Sequence, residues 1–288
     1  MASVLNTNMS SISAQRYLTL AQSKLNTSYE RLSSGSRINR AQDDAAGLGI
    51  SQNLTASIGG TAFGIRNAND AIGALQTAEG ALSEISSMLQ RFKELATQGA
   101  NQGLSEGQRK YLLDEMTQLG EEVDSISLRT TFNNNALLKD NATSTVTAMN
   151  FQTGSGTSDN QTIDFVDITA GGDYENLEKL IAVASEFADP DAPEWSEFQS
   201  LTTVIEGAIN EVAGLRAEFG AKINRITSNL NNLDALSENL SAARSRVLDT
   251  DYAAETATLT KTQILQQAAT AMLSQANAQP NVILALLK

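Results

Sequence analysis

Apolar residues recur alternately three and four apart along most of this chain. That spacing lays one stripe down a helix and, when sustained, makes a coiled-coil seam. Near the N-terminus Leu18, Ala21, Leu25, Ser28 and Leu32 follow it, up to a Ser33-Ser34-Gly35 stop. A second run, Leu82, Ile85, Leu89, Phe92 and Ala96, stops around Gly99–Gly103, and Leu112, Met116, Leu119, Val123 and Ile126 form a third. The fourth is the longest: Leu201, Ile205, Ala208, Val212, Leu215, Phe219, Ile223, Ile226, Leu230, Leu233, Leu240 and Val247. Its double step of four at Leu215–Phe219–Ile223 is a stutter, which locally unwinds a coiled coil. As one helix, residues 197–248 would span roughly 75–80 Å. Any single run fits an ordinary amphipathic helix, but four together predict a mainly α fold, a multi-helix coiled-coil bundle.

Residues 253–287 predict a helix of another kind. They hold two charges, Glu255 and Lys261, and nine alanines, with Leu259, Ile264, Leu265, Met272 and Leu273. A lone surface helix has a charged outer face; this one wants neighbours on most sides, and other copies of the chain could supply them. Between the helical blocks, residues 141–172 are rich in Thr, Ser, Asn, Asp and Gly. Strands over Thr145–Phe151 and Thr162–Ile168, with a turn at Thr153–Asn160, predict a small β-hairpin insertion. Residues 173–198 read as a short acidic helix and then an exposed loop holding Pro190, Pro193 and Trp195.

Composition narrows the function. The chain has no Cys and no His, which removes disulfides, thiolate chemistry, the commonest general base and the commonest zinc ligand. An enzyme would have to work with carboxylates, Lys, Tyr or Ser alone, so neither catalytic residues nor a cofactor or metal is expected. The net charge is −13, and residues 140–200 carry twelve acidic residues against Lys179 alone. That balance argues against nucleic acid as a partner. No apolar run approaches a membrane span, so no membrane insertion is expected. The start lacks the charged and apolar regions of a cleaved secretory signal, which by itself reads as cytoplasmic.

Few motifs invite a chemical reading. Asp43–Asp44 could suggest acid–base work or a metal, but adjacent residues point different ways on a helix and no third ligand follows. With Arg37 and Arg40 upstream, ion pairing and capping explain them better. Gly47-Leu-Gly49 and Gly59-Gly60 lack any phosphate-loop context and read as flexibility or close approach.

Several stretches are recognisable. Glu30-Arg-Leu-Ser-Ser-Gly-Ser-Arg-Ile-Asn-Arg-Ala-Gln-Asp-Asp-Ala-Ala-Gly47 resembles the N-terminal signature of bacterial flagellins. Arg66-Asn-Ala-Asn-Asp70, Glu79-Gly-Ala-Leu82, Leu89-Gln-Arg91 and Thr131-Phe-Asn133 resemble the same family. So do Ala243-Arg-Ser-Arg-Val-Leu-Asp-Thr-Asp-Tyr252, Ile264-Leu-Gln-Gln-Ala268 and the closing Asn281-Val-Ile-Leu-Ala-Leu-Leu-Lys288. The resemblance covers roughly residues 1–140 and 200–288 in order.

It implies a long antiparallel coiled-coil bundle of N- and C-terminal segments that polymerises with copies of itself into the flagellar filament. On this division residues 1–42 and 253–288 are paired filament-core helices, 43–140 and 173–252 two parts of a helical rod domain, and 141–172 a short variable hairpin. The implied polymerisation residues are Leu18, Leu25, Leu32, Ile264, Leu265, Ala268, Met272 and Leu286. Export without a cleaved signal through the type III apparatus would make the protein extracellular, replacing the cytoplasmic reading. Further implied partners are a secretion chaperone at the C-terminus, filament cap and hook-associated proteins, and a host toll-like receptor reading Leu89, Gln90, Arg91, Leu95, Gln98 and Glu115. A hook–filament junction protein is the alternative within the same superfamily.

Overall fold

In the computed structural model, residues 7–141, 144–169 and 172–286 are described, with side chains as far as Gln279. The architecture is mainly helical: α1 (Met9–Ser34), α2 (Ala45–Gly99), α3 (Glu106–Arg129), α4 (Glu175–Ile181), α5 (Trp195–Leu248) and α6 (Tyr252–Leu286). Two small antiparallel pairs interrupt it, β1 (Thr131–Phe132) with β2 (Asn135–Ala136), and β3 (Met149–Gln152) with β4 (Asn160–Ile163). The chain divides into two compact units, residues 1–58 with 238–288, and residues 59–237.

The first unit is an antiparallel pair of α1 and α6. Asn8 donates its amide to the Ala276 carbonyl at 2.7 Å, Gln263 donates to the Tyr29 hydroxyl at 3.1 Å, and Arg31 pairs with Glu255 at 3.6 Å. Gly35 ends α1 in the left-handed conformation at φ 71°, which a side chain would strain. The chain then bridges Ser36 to Asp249, with the Arg37 amide donating to the Leu248 carbonyl at 2.6 Å. Asp251 starts α6 by accepting from the amides of Ala253 and Ala254. Asp44 caps α2 through the Gly47 amide at 2.8 Å, and Arg40 pairs with Glu30 at 2.9 Å. Asp43 takes the amides of Arg40 and Asn39, which hold its carboxyl below the usual aspartate range. Asp44 thus caps the helix and faces Arg37 at 4.0 Å, while Asp43 holds the turn before it and Arg40 pairs with Glu30 instead. Of the glycines nearby, Gly47 is approached closely by Asp44 and Gly60 by Ser155, whereas Gly49 and Gly59 face open space.

The second unit holds the main core. Along α2 the buried line runs Ala68, Ala71, Leu75, Ala78, Leu82, Ile85, Leu89, Phe92 and Ala96, an unbroken alternation of threes and fours. Along α5 it runs Phe198, Leu201, Ile205, Ala208, Val212, Leu215, Phe219 and, past half-buried Ile223, Ile226. The two helices run antiparallel: Arg216 meets Glu79 at 2.9 Å and Lys93 meets Glu206 at 3.1 Å, while the Phe198 ring lies against Gly99. At the stutter, Phe219 packs edge-to-face on Phe165, ring centroids 5.8 Å apart. A ring from the insertion thus packs against the seam at this step.

Three expectations shift. The deep line of α3 is Leu113, Met116, Gly120, Val123 and Ser127, while Leu112, Leu119 and Ile126 are only half-buried. Gly120 is there because the end of α4 presses on this face. A Cβ at Gly120 would sit 2.7 Å from the Leu180 carbonyl oxygen and 2.8 Å from that of Ile181. The strands β3 and β4 are shorter than predicted and lie nearer the turn, and Trp195 opens α5 rather than sitting in a loop. Arg109 accounts for that early start: buried, it donates to the carbonyls of Pro193 at 2.8 Å and Leu104 at 2.7 Å, tying down the residues before the helix. Glu211 of α5 in turn accepts from the amides of Asn176 and Leu177, capping the short α4 from outside.

Gly120→Ala tests the α3–α4 contact. The substitution adds about 1 kcal/mol of helix propensity, yet the clash with two backbone carbonyls costs about 1–3 kcal/mol. The expected result is a lower thermal midpoint, and a raised one would refute the close contact.

Candidate functional site

The α1–α6 pair is joined by a seam of modest residues. From α1 it takes Ser11, Ala14, Leu18, Ala21, Leu25, Ser28 and Leu32; from α6, Glu255, Leu259, Thr262, Gln266, Ala269, Leu273 and Ala276. Both sets keep the three–four alternation, but each mixes small or polar side chains with leucines. Leu18, Leu25 and Leu32 are half-buried here, packed within the chain itself.

The larger apolar side chains point elsewhere. Ile264, Leu265 and Met272 are more than half exposed, and Ala268 is exposed beside them. On α1, Met9 and Tyr17 are also more than half exposed and Leu20 about half. Together Met9, Tyr17, Leu20, Leu265 and Met272 line an open groove of about 860 Å³ along one side of the helix pair. Its remaining lining is small or hydroxyl-bearing, with Lys24 the single cation. Of the implied polymerisation residues, Ile264, Leu265, Ala268 and Met272 lie on the outer surface and Leu18, Leu25 and Leu32 in the seam. The Leu286 side chain lies outside the described residues.

Sequence reasoning missed Met9, Tyr17 and Leu20. Their signal was present: positions 9, 13, 17, 20 and 24 form a second stripe of threes and fours beside the first. Only the stripe holding more leucines was followed. A helix with two such stripes has more apolar surface than one partner can cover.

A second surface lies on α2 and α3. Arg91 donates to Glu115 at 2.8 Å and to Glu94 at 2.9 Å, and those carboxylates, Glu115 first, hold its guanidinium above the usual arginine value. Gln90 and Gln98 are exposed on the same helix and line a shallow depression with Lys93, Glu94 and Thr97. Leu89 and Leu95, by contrast, are 0% and 1% exposed. They lie in the core beneath the outer residues.

Among the described residues no group of three or more carboxylates could hold a metal ion, and no helix is long and apolar enough to cross a membrane. The arrangement offers apolar surface and charge pairs.

Comparison with known proteins gives matches over both helical ends. Residues 5–143 match the bacterial flagellin N-terminal helical region, and residues 202–287 the bacterial flagellin C-terminal helical region. A flagellin of Halalkalibacterium halodurans is 39% identical over 285 residues, covering 99% of this chain and all of that protein. A flagellin of Bacillus subtilis is 37% identical over 302 residues, with 99% of each chain covered. Among solved structures, one described as a flagellar hook-associated protein of Vibrio parahaemolyticus aligns with a TM-score of 0.61 at 16% identity. It covers 72% of this chain and all of its own, a likeness of fold.

Proposed function

The chain belongs to the bacterial flagellin family and is a structural, non-enzymatic subunit of the extracellular flagellar filament; from that premise we propose that its subunits join through the outward faces of α1 and α6. The observation that carries this is the groove lined by Met9, Tyr17, Leu20, Leu265 and Met272. These side chains are large, apolar and uncovered on a helix pair whose own seam is already filled by other residues. Neighbouring copies are the occupants that match: α6 carries only two charges outside its polar amides and hydroxyls, so little charge need be desolvated when it is surrounded. Burying several hundred Å² of such surface gains about 25 cal/mol per Å². Residues 1–42 and 253–288 thereby supply the filament core.

Leu265→Glu tests this at one position. The residue is outside the intramolecular seam, so the monomer's helical content is expected to stay unchanged. The buried carboxylate should raise the critical concentration for seeded assembly roughly a hundredfold or more, since burying an unpaired charge costs several kcal/mol. Normal filaments from this variant would sink the assignment. Before export, the same face of α6 is what a secretion chaperone would shield, and at the filament end it is what cap and hook-associated proteins would meet.

A second reading concerns the α2–α3 surface. Gln90, Arg91, Gln98 and Glu115 are available to a host toll-like receptor in the monomer, with Arg91 held in place by its two carboxylates. Arg91→Ala should then weaken receptor signalling by purified monomer by tenfold or more, as loss of a charged, pre-oriented contact does at interface hot spots. Unchanged signalling would remove Arg91 from the contact.

A further inference from the structure

The sulfur atoms of this protein are unevenly exposed. There is no cysteine, so methionine thioethers are the only sulfur present. Met116 is enclosed, and Met88 and Met149 are half-buried. Met9 and Met272 are 66% and 60% exposed, and both line the same groove from opposite helices. Exposed thioethers are the ones that two-electron oxidants reach first. These two also sit on the surface through which subunits are held to join.

We propose that Met9 and Met272 are a paired oxidation site that makes the unassembled subunit redox-sensitive. The oxidant is a peroxide or hypohalous acid. With hydrogen peroxide, a sulfur lone pair forms the new S–O bond as the peroxide O–O bond breaks. Sulfur is oxidised by two electrons to the sulfoxide, and the peroxide is reduced to water. The product replaces a flexible apolar side chain with a strong hydrogen-bond acceptor. In the groove the helix amides are already committed within α1 and α6, and the Thr262 hydroxyl already donates to the Thr258 carbonyl. Apart from Ser10, Ser13 and Lys24 the remaining lining is Tyr17, Leu20, Leu265 and alanines. Covering the oxidised groove with another apolar surface therefore buries acceptors against carbon, which costs free energy. The effect is one-sided: a subunit oxidised before assembly joins poorly, whereas one already incorporated has its thioethers covered.

This inference rests on the assembly reading above, and the experiment separates the two. Purified full-length monomer is exposed to graded hydrogen peroxide. Peptide mass mapping follows the added oxygen at each methionine, and seeded assembly gives the critical concentration before and after. Met9 and Met272 are expected to convert well before Met88, Met116 and Met149, and the critical concentration to rise roughly tenfold in step with them. Treatment with methionine sulfoxide reductases for both epimers should reverse the rise. The Met9→Leu/Met272→Leu chain, each measurement divided by its own value before exposure, should show little or no rise. An unchanged critical concentration after both thioethers convert, or an equal relative rise in the double variant, overturns the redox inference alone. Preformed filaments are mapped in parallel. Protection of Met9 and Met272 there supports the proposal, whereas oxidation as fast as in monomer overturns the assembly reading and this inference with it.

Discussion

Deleting residues 254–288 is expected to abolish polymerisation while leaving residues 59–237 folded. The main core runs from Ala68 to Ile226 and includes no residue of α1 or α6, so its packing survives the loss of α6. What disappears is one wall of the groove and the partner of the α1 seam. Leu18, Ala21 and Leu25 would then face water, and α1 alone cannot offset the entropy of staying ordered. Circular dichroism should show helix lost beyond that of the deleted segment, with the thermal transition of the remaining core little changed. Sedimentation after seeding should show no polymer at any accessible concentration. Filaments from the truncated chain would refute the role given to α6.

Phe219→Ala should cause a large loss of stability. Phe219 is fully buried at the stutter, in edge contact with Phe165. Truncating a buried phenylalanine costs about 3–5 kcal/mol, part transfer and part cavity. Denaturant unfolding followed on the second unit should show the midpoint fall accordingly, with little change in slope. Leu236→Ala on the same helix is the comparison: Leu236 is 43% exposed, and its truncation should cost about 0.5 kcal/mol or less. Losses of similar size in the two variants would mean that the stutter carries no special packing. A Phe165→Ala/Phe219→Ala cycle would then measure how much of the loss is the ring pair itself.

Both predictions depend on features read with unequal ease from the sequence. The α2 seam was legible from Leu82 and the α5 seam from Leu201, where Leu, Ile and Phe keep heptad spacing. The alanine-rich start of the α2 line, Ala68, Ala71 and Ala78, carries a weaker signal. The stop at Gly35 was legible too, since a left-handed residue after a helix is a glycine's place. The hairpin of β1 and β2 turns on Asn133 and Asn134, both at positive φ, and that Asn-Asn pair was a signal passed over. The register of α3 was not legible in the same way. Leucines at 112 and 119 advertise one face, but glycine at 120 marks the face another backbone approaches, and only the position of α4 shows which one is deep.

The sequence by itself determined that this protein is a set of long helices, where most of them start and stop, and that its two ends carry more apolar surface than a solitary chain can bury. Those properties are local: periodicity, capping residues and charge content act within a few turns. Tertiary structure alone decided which stripe of each terminal helix is spent inside the chain and which is left outside. Two stripes of similar spacing compete on α1 and on α6, and close antiparallel packing favours the pair whose small residues let the backbones approach. The bulkier stripe, with Met9, Tyr17, Leu265 and Met272, is therefore the one that remains to meet another subunit.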